Sequence, residues 1–300
     1  MSLRRQVVGI MAVVVMTTGS ATHATEPRFL IAGDGTLTIS SAHSGERATL
    51  RYRRTDGSYD LAALARVRHL FRSRDGSEGE VALRLVELLS WLQRANRGAP
   101  ITIQSGYRSP GYNAALKEQG RAVATSSLHS EGLAADIRLP GVDLARLWHE
   151  LRDRECCGAG YYAHEGFVHV DVGPSRFWEA ATSRVDENLS AGNARLFARS
   201  EYDRYQPGDT VELTLHALTG PPVEIVPRAR FIDDGGEPPR EIMLEAEVTA
   251  PDGCLLARAT GVRLRAKGVV AGRGHLELET CAPRSERTPA QVSTNVLEVQ

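Results

Sequence analysis

The chain has 300 residues, 42% of them apolar and 24% charged, with 36 strong bases against 37 acids. That length suits one large domain or two ordinary ones, and the composition excludes a disordered or collagen-like chain. A net charge of −1 excludes the basic face that non-specific nucleic-acid binding requires, and four cysteines are too few for a disulfide scaffold.

Residues 1–24 read as a secretory signal: Arg4 and Arg5, an apolar run from Val7 to Met16, and the small-residue site Thr22-His23-Ala24. As a helix, that run would span about half of a bilayer core, so no transmembrane anchor is expected. The expected compartment is the periplasm or another exported space, after cleavage near Ala24. There disulfides persist, which makes Cys254 and Cys281, 27 residues apart, a candidate bridge. The adjacent Cys156 and Cys157 read instead as packing residues, because neighbouring Cα atoms lie closer than an unstrained disulfide needs.

Thr36–Ser40 and Arg47–Tyr52 alternate polar and apolar residues around Ser44-Gly45-Glu46, which predicts a β-hairpin. Helical spacing follows from Leu61 to Phe71, with Asp60 as N-cap, and again from Gly79 to Ala95. Ile101–Gln104 and Leu133–Leu139 read as strands, Leu144–Leu151 as a helix, and Ser105–Asn113 as a loop. Gly160–Tyr162 and Phe167–Val172 form a terminal antiparallel pair in this reading. The expected organisation is a domain over 25–180, a polar linker over 181–193 and a second domain over 194–300. In the last stretch short β-type runs alternate with turns such as Asp233-Asp-Gly-Gly236, which predicts an all-β, sandwich-like module.

The strongest chemical signal is a spaced set of metal-type ligands. His129 precedes Asp136 by seven residues, and His169 lies in Phe167-Val-His-Val-Asp171. Two His and one carboxylate match a catalytic zinc site with its fourth position open to water, a site able to hydrolyse amides. Arg108, in Ser105-Gly-Tyr-Arg-Ser-Pro110, is placed to bind a carboxylate or to stabilise an oxyanion. Asp171, two residues beyond His169 on a strand, shares its face and either orients a ligand or serves as general base. His43, His69, His149, His216 and His275 read as structural or solvated, and Tyr161, Tyr162, Phe167 and Trp178 as core aromatics.

These motifs, in this order, resemble the zinc D-Ala-D-Ala peptidase group, and most closely its murein L,D-endopeptidase K type. The resemblance spans roughly residues 34–178, from Asp34-Gly-Thr-Leu37 and His43-Ser-Gly-Glu46 through Ser127-Leu-His129, Ala135-Asp136-Ile137, Gly160-Tyr-Tyr162, Gly173 and Arg176 to Trp178. It implies an α+β domain with a central antiparallel sheet and one Zn²⁺ per chain, held by His129, Asp136 and His169. It also implies Arg108 near the scissile group and the peptide stems of peptidoglycan as substrate. Related carboxypeptidases place an acid three positions before the last His ligand; here that position is Gly166, so Glu165 rivals Asp171 as the base. A non-catalytic zinc-containing wall-binding or signalling module is the alternative reading. The segment after 190 lies outside the resemblance and is expected to cover the peptidase or to bind a wall component or other partner.

Overall fold

A computed structural model describes residues 26–119, 127–183, 187–250, 252–257, 263–281 and 285–300. The expected signal segment lies outside them. Among the described residues no helix is long and apolar enough to cross a membrane.

The first sheet begins with the expected hairpin, β1 (Thr36–Ser41) and β2 (Arg47–Arg51), paired antiparallel with Thr36 opposite Arg51. Alternation along β1 buries Leu37 and Ile39, the period-2 signature of a half-buried strand. Helix α1 (Leu61–Leu70) is capped as expected, the Asp60 carboxylate accepting from the Ala63 backbone N–H at 3.0 Å. Helix α2 starts later than its apolar pattern suggests, at Leu83 rather than Gly79, and runs to Ala95. The physical reason is a close crossing: Ala82 donates its N–H to Gly132 O, and a Cβ on Gly132 would stand 1.8 Å from Glu80 O. Residues 79–82 are thereby kept out of the helix.

Helix α2 is buried nearly all round, and its polar residues are satisfied. Gln93 bonds the Thr38 backbone at both N and O. Glu87, fully buried, accepts from Tyr52, Arg53 and Tyr59. Then follow β3 (Ile101–Ser105), α3 (Pro110–Glu118), β4 (Ala134–Arg138), α4 (Leu144–Arg154), β5 (Gly158–Tyr162), β6 (Phe167–Asp171) and β7 (Arg176–Glu179). Helix α3 begins inside the expected loop and runs beyond it: Ser109 caps it and Pro110 opens it, a start signature placed just after the Arg108 motif.

The strand order is β2-β1-β3-β4-β6-β5-β7. Neighbouring strands along β3-β4-β6-β5 are antiparallel, but β1–β3 and β5–β7 run parallel. The sheet is therefore mixed, which corrects the expectation of a purely antiparallel one. The β5–β6 pair is antiparallel as expected but not terminal, because β7 flanks it.

The second half contains β8 (Phe197–Ser200), β9 (Arg204–Tyr205), β10 (Thr210–His216), β11 (Val223–Asp233), β12 (Arg240–Ala246), β13 (Leu255–Ala257), β14 (Arg263–Lys267), β15 (Gly272–Thr280), β16 (Gln291–Ser293) and β17 (Leu297–Val299). It is all-β as expected. Among the described residues its ten strands form one hydrogen-bonded sheet, β8-β10-β14-β12-β11-β15-β17-β9, with β13 joined to β11 and β16 to β15. One curled sheet thus replaces the two expected of a sandwich, and its alternate residues, among them Leu213, Phe231, Leu264 and Leu276, share a single core. Cys254 and Cys281 form a disulfide with Cα atoms 6.7 Å apart, while Cys156 and Cys157 are free thiols.

Contacts outside residues 181–193 also stitch the two sheets together. Arg84 on α2 pairs with the buried Asp203, and Asp203 also accepts from the Leu30 N–H at 2.8 Å. Arg28 stacks its guanidinium 3.5 Å from the Tyr202 ring centroid. The segment just before β1 therefore packs on the second domain.

Candidate metal centre

Three neighbouring elements deliver the predicted ligands. Asp136 on β4 sits directly opposite His169 on β6, and Gly160 on β5 flanks His169 from the other side. His129 comes from a single 3-10 turn, Leu128–Glu131, capped by the Ser127 hydroxyl and ended by Gly132 at φ +70. Small residues are required around them: a Cβ on Gly160 would lie 2.5 Å from the Trp178 ring, and one on Gly158 2.3 Å from the Asp171 carboxylate.

The donor atoms converge. His129 Nε2 lies 3.2 Å from His169 Nδ1, His169 Nδ1 lies 2.9 Å from Asp136 Oδ1, and His129 Nε2 lies 3.4 Å from the same oxygen. Bonds of roughly 2.0–2.1 Å to a tetrahedral zinc place ligands about 3.3 Å apart, so these separations fit three corners of such a site. The far ring atoms fix the tautomers. His129 Nδ1 is 2.7 Å from Gly106 O, and His169 Nε2 is 3.1 Å from Asp171 Oδ2. Each imidazole spends its N–H on that outer acceptor, which turns two lone pairs and a carboxylate oxygen toward one point. Three acceptors facing one another fit a cation.

The electrostatics agree. Burial acts to raise the pKa of Asp136, but His129 and His169 outweigh it and hold the carboxyl below the usual range. Arg108 donates to the other Asp136 oxygen at 3.0 Å and to Ser105 Oγ at 3.1 Å. Asp171 is fully buried behind His169. It accepts from Arg176 through both oxygens, at 3.1 and 2.7 Å, and from the Gly173 N–H at 2.8 Å. Burial acts to raise its pKa, but the Arg176 charge and the His169 hydrogen bond bring it down to about 2. Both Asp171 oxygens are thus engaged on the side of His169 away from the ligand cluster. Glu165 stands exposed in the turn between β5 and β6 and does not line the cleft.

A cleft of about 570 Å³ opens over the three candidate ligands. Tyr162, Phe167 and Trp178 line it, so these aromatics form a wall rather than closed core. Tyr162 accepts from Trp178 Nε1 at 3.1 Å, which leaves its own O–H available to the cleft. Tyr162 and Arg176 were named from sequence only as a core aromatic and as parts of the resemblance, without a role at the site; the available signal was Asp171 and Arg176 flanking Gly173-Pro174. Leu196, Phe197 and Ala217 from the second half also line the cleft, and no local pattern announces that.

A family model described as peptidoglycan L,D-endopeptidase MepK matches residues 31–178. Peptidoglycan L,D-endopeptidase MepK of Escherichia coli K12 is 33% identical over 145 residues, 47% of this chain and 79% of that protein. The chain belongs to the MepK family. A probable MepK of Haemophilus influenzae is 32% identical over 146 residues, 48% of this chain and 78% of that protein. The matched residues include His129, Asp136, His169, Arg108 and Asp171, and end before the second sheet begins.

Proposed function

We propose that this chain is an exported, zinc-dependent peptidoglycan endopeptidase that cuts peptide cross-links of murein, with L,D bonds as its targets. The observation that carries this reading is the convergence of His129 Nε2, Asp136 Oδ1 and His169 Nδ1 at one point in an open cleft, within a chain of the MepK family. A zinc ion bound there supplies Lewis acidity, lowering the pKa of bound water and polarising a carbonyl. Asp136 and the two imidazoles hold the ion. Asp171 acts as a positioning residue: it fixes the ring of His169 and is itself locked by Arg176 and Gly173. Its two engaged oxygens argue against the general-base role, and the exposed position of Glu165 argues against that residue as well. Arg108 holds Asp136 in place and, at the cleft edge, stabilises charge developing on the substrate carbonyl oxygen. The Tyr162 hydroxyl donates a hydrogen bond to bound peptide. Export is supported by residues 1–24 and by the Cys254–Cys281 bridge, which suits an oxidising compartment.

Digestion of purified peptidoglycan, with and without a chelator, tests the reading. Chelator-sensitive release of monomeric muropeptides is expected, with mass spectrometry locating the cut at an L,D bond. Wall binding without new products would instead favour a non-catalytic module.

A further inference from the structure

The 3-10 turn that carries His129 spans only Leu128–Glu131. Hydrogen bonding in such a turn is poorer than in an α-helix, so the turn takes its shape from what holds its two ends. The N-terminal sheet domain holds the first end: the Ser127 hydroxyl caps it, and Leu133 N–H donates to Leu128 O at 2.9 Å. The second sheet holds the last end. Glu131 accepts from His216 Nδ1 at 2.9 Å through one carboxylate oxygen, and from the Ala217 N–H at 3.1 Å through the other. Ala217 makes this bond at φ +58, a costly conformation for a residue with a Cβ.

The donors are themselves braced. The buried His216 ring stacks on Phe197 with centroids 5.2 Å apart, and the Arg199 guanidinium lies 5.6 Å from the Phe197 centroid. Arg199 donates in turn to Val172 O at 2.8 Å, next to the Asp171 that fixes His169. Phe197 and Ala217 belong to the second half of the chain, yet they are buried in the core of the first. One brace, Arg199–Phe197–His216, thus runs from the end of β6 to the turn of His129. We infer that Glu131 is a positioning residue of the metal centre, through which the C-terminal domain aims His129 Nε2 at Asp136 and His169. Its carboxylate is spent on two donors, so it acts through the backbone of the turn and not on substrate. This rests on the proposed metallopeptidase reading and gives the C-terminal domain a part in shaping the centre.

The test uses the full chain loaded with Co²⁺, whose visible absorption reports ligand geometry where d¹⁰ zinc is silent. Affinity is read by competition with a chromophoric chelator, and folding by a melting curve. Glu131→Ala is expected to shift the cobalt band and to weaken metal affinity by about tenfold. Glu131→Gln keeps an oxygen for the Ala217 N–H and should recover part of that loss. His216→Phe keeps an aromatic ring against Phe197 but removes the donor. Combined with Glu131→Ala, it should cost no more affinity than Glu131→Ala alone, because both act through one contact. Arg204→Ala is the control: it removes a bond to Pro27 O that also joins the two halves but involves neither the His129 turn nor β6. It should lower the Tm without moving the cobalt band. An unchanged band and affinity in folded Glu131→Ala would overturn the assignment, as would additive losses in the double variant or an equal shift in Arg204→Ala. If Glu131→Ala does not fold, Glu131→Gln and His216→Phe decide by the same readouts. The expected metal effects in a chain that releases nothing from sacculi would sink the peptidase reading and leave the role of Glu131 standing.

Discussion

The two sheets use their strands differently. In the N-terminal sheet the central strands are short and rich in small residues, and the candidate metal ligands gather there: Asp136 and His169 face each other on adjacent strands, and Gly158 and Gly160 give the buried groups room. In the C-terminal sheet, alternation puts apolar residues into one core and charged residues outside. Outer faces carry pairs such as Arg230–Glu277 and Lys267–Glu245. That sheet packs an apolar core of its own. The contrast teaches that a domain with no ligand of its own still shapes a site, if its edge is fixed against the residues that do the chemistry.

Four substitutions break or sharpen this contrast. The largest effect is expected from Asp136→Ala, which removes one corner of the metal site and leaves Arg108 without its buried partner. Bound zinc, read by elemental analysis, and muropeptide release should both be lost. Next, Cys254→Ser opens the 27-residue loop in the second sheet. It should cost about 3 kcal/mol in urea unfolding while leaving zinc content unchanged. A loss of zinc would mean that the two halves are less separable than their cores suggest. Third, Asp171→Ala removes the acceptor that fixes His169, so metal affinity or turnover should fall by about 10–100-fold. A fall in turnover well beyond that range with zinc retained would return the base role to Asp171. Smallest is Glu165→Ala, expected to leave kcat within about twofold, since the side chain is exposed outside the cleft. A strong loss there would show that the turn closes over bound peptide.

The local features of the fold were legible because their causes are local. Alternation announced β1 and β2, Asp60 announced the start of α1, and the periodic apolar face announced α2 and α4. The clustering of His129, Asp136 and His169 was legible because each member sits in a short motif with small neighbours. Other features depend on contacts remote in sequence. The late start of α2 follows from Gly132 crossing Glu80, and the parallel β1–β3 pairing from a connection through two helices. Strands β8 and β9 span only four and two residues, too short to carry a period. His216 looked like an isolated imidazole because its partner, Glu131, lies 85 residues earlier. The single curled sheet was illegible for the same reason, since sandwich and curled sheet share one alternation pattern.

Glu131 also has a thermodynamic consequence. The turn it ends carries His129, and its two oxygens are held by the second sheet. Docking of that sheet and occupancy of the metal centre therefore act on the same few backbone angles. By reciprocity, whatever docking contributes to the affinity of the centre, a filled centre returns to docking in equal measure. A cation held there would then be a fastener between halves of the chain as well as a reagent, and its removal should separate their unfolding transitions.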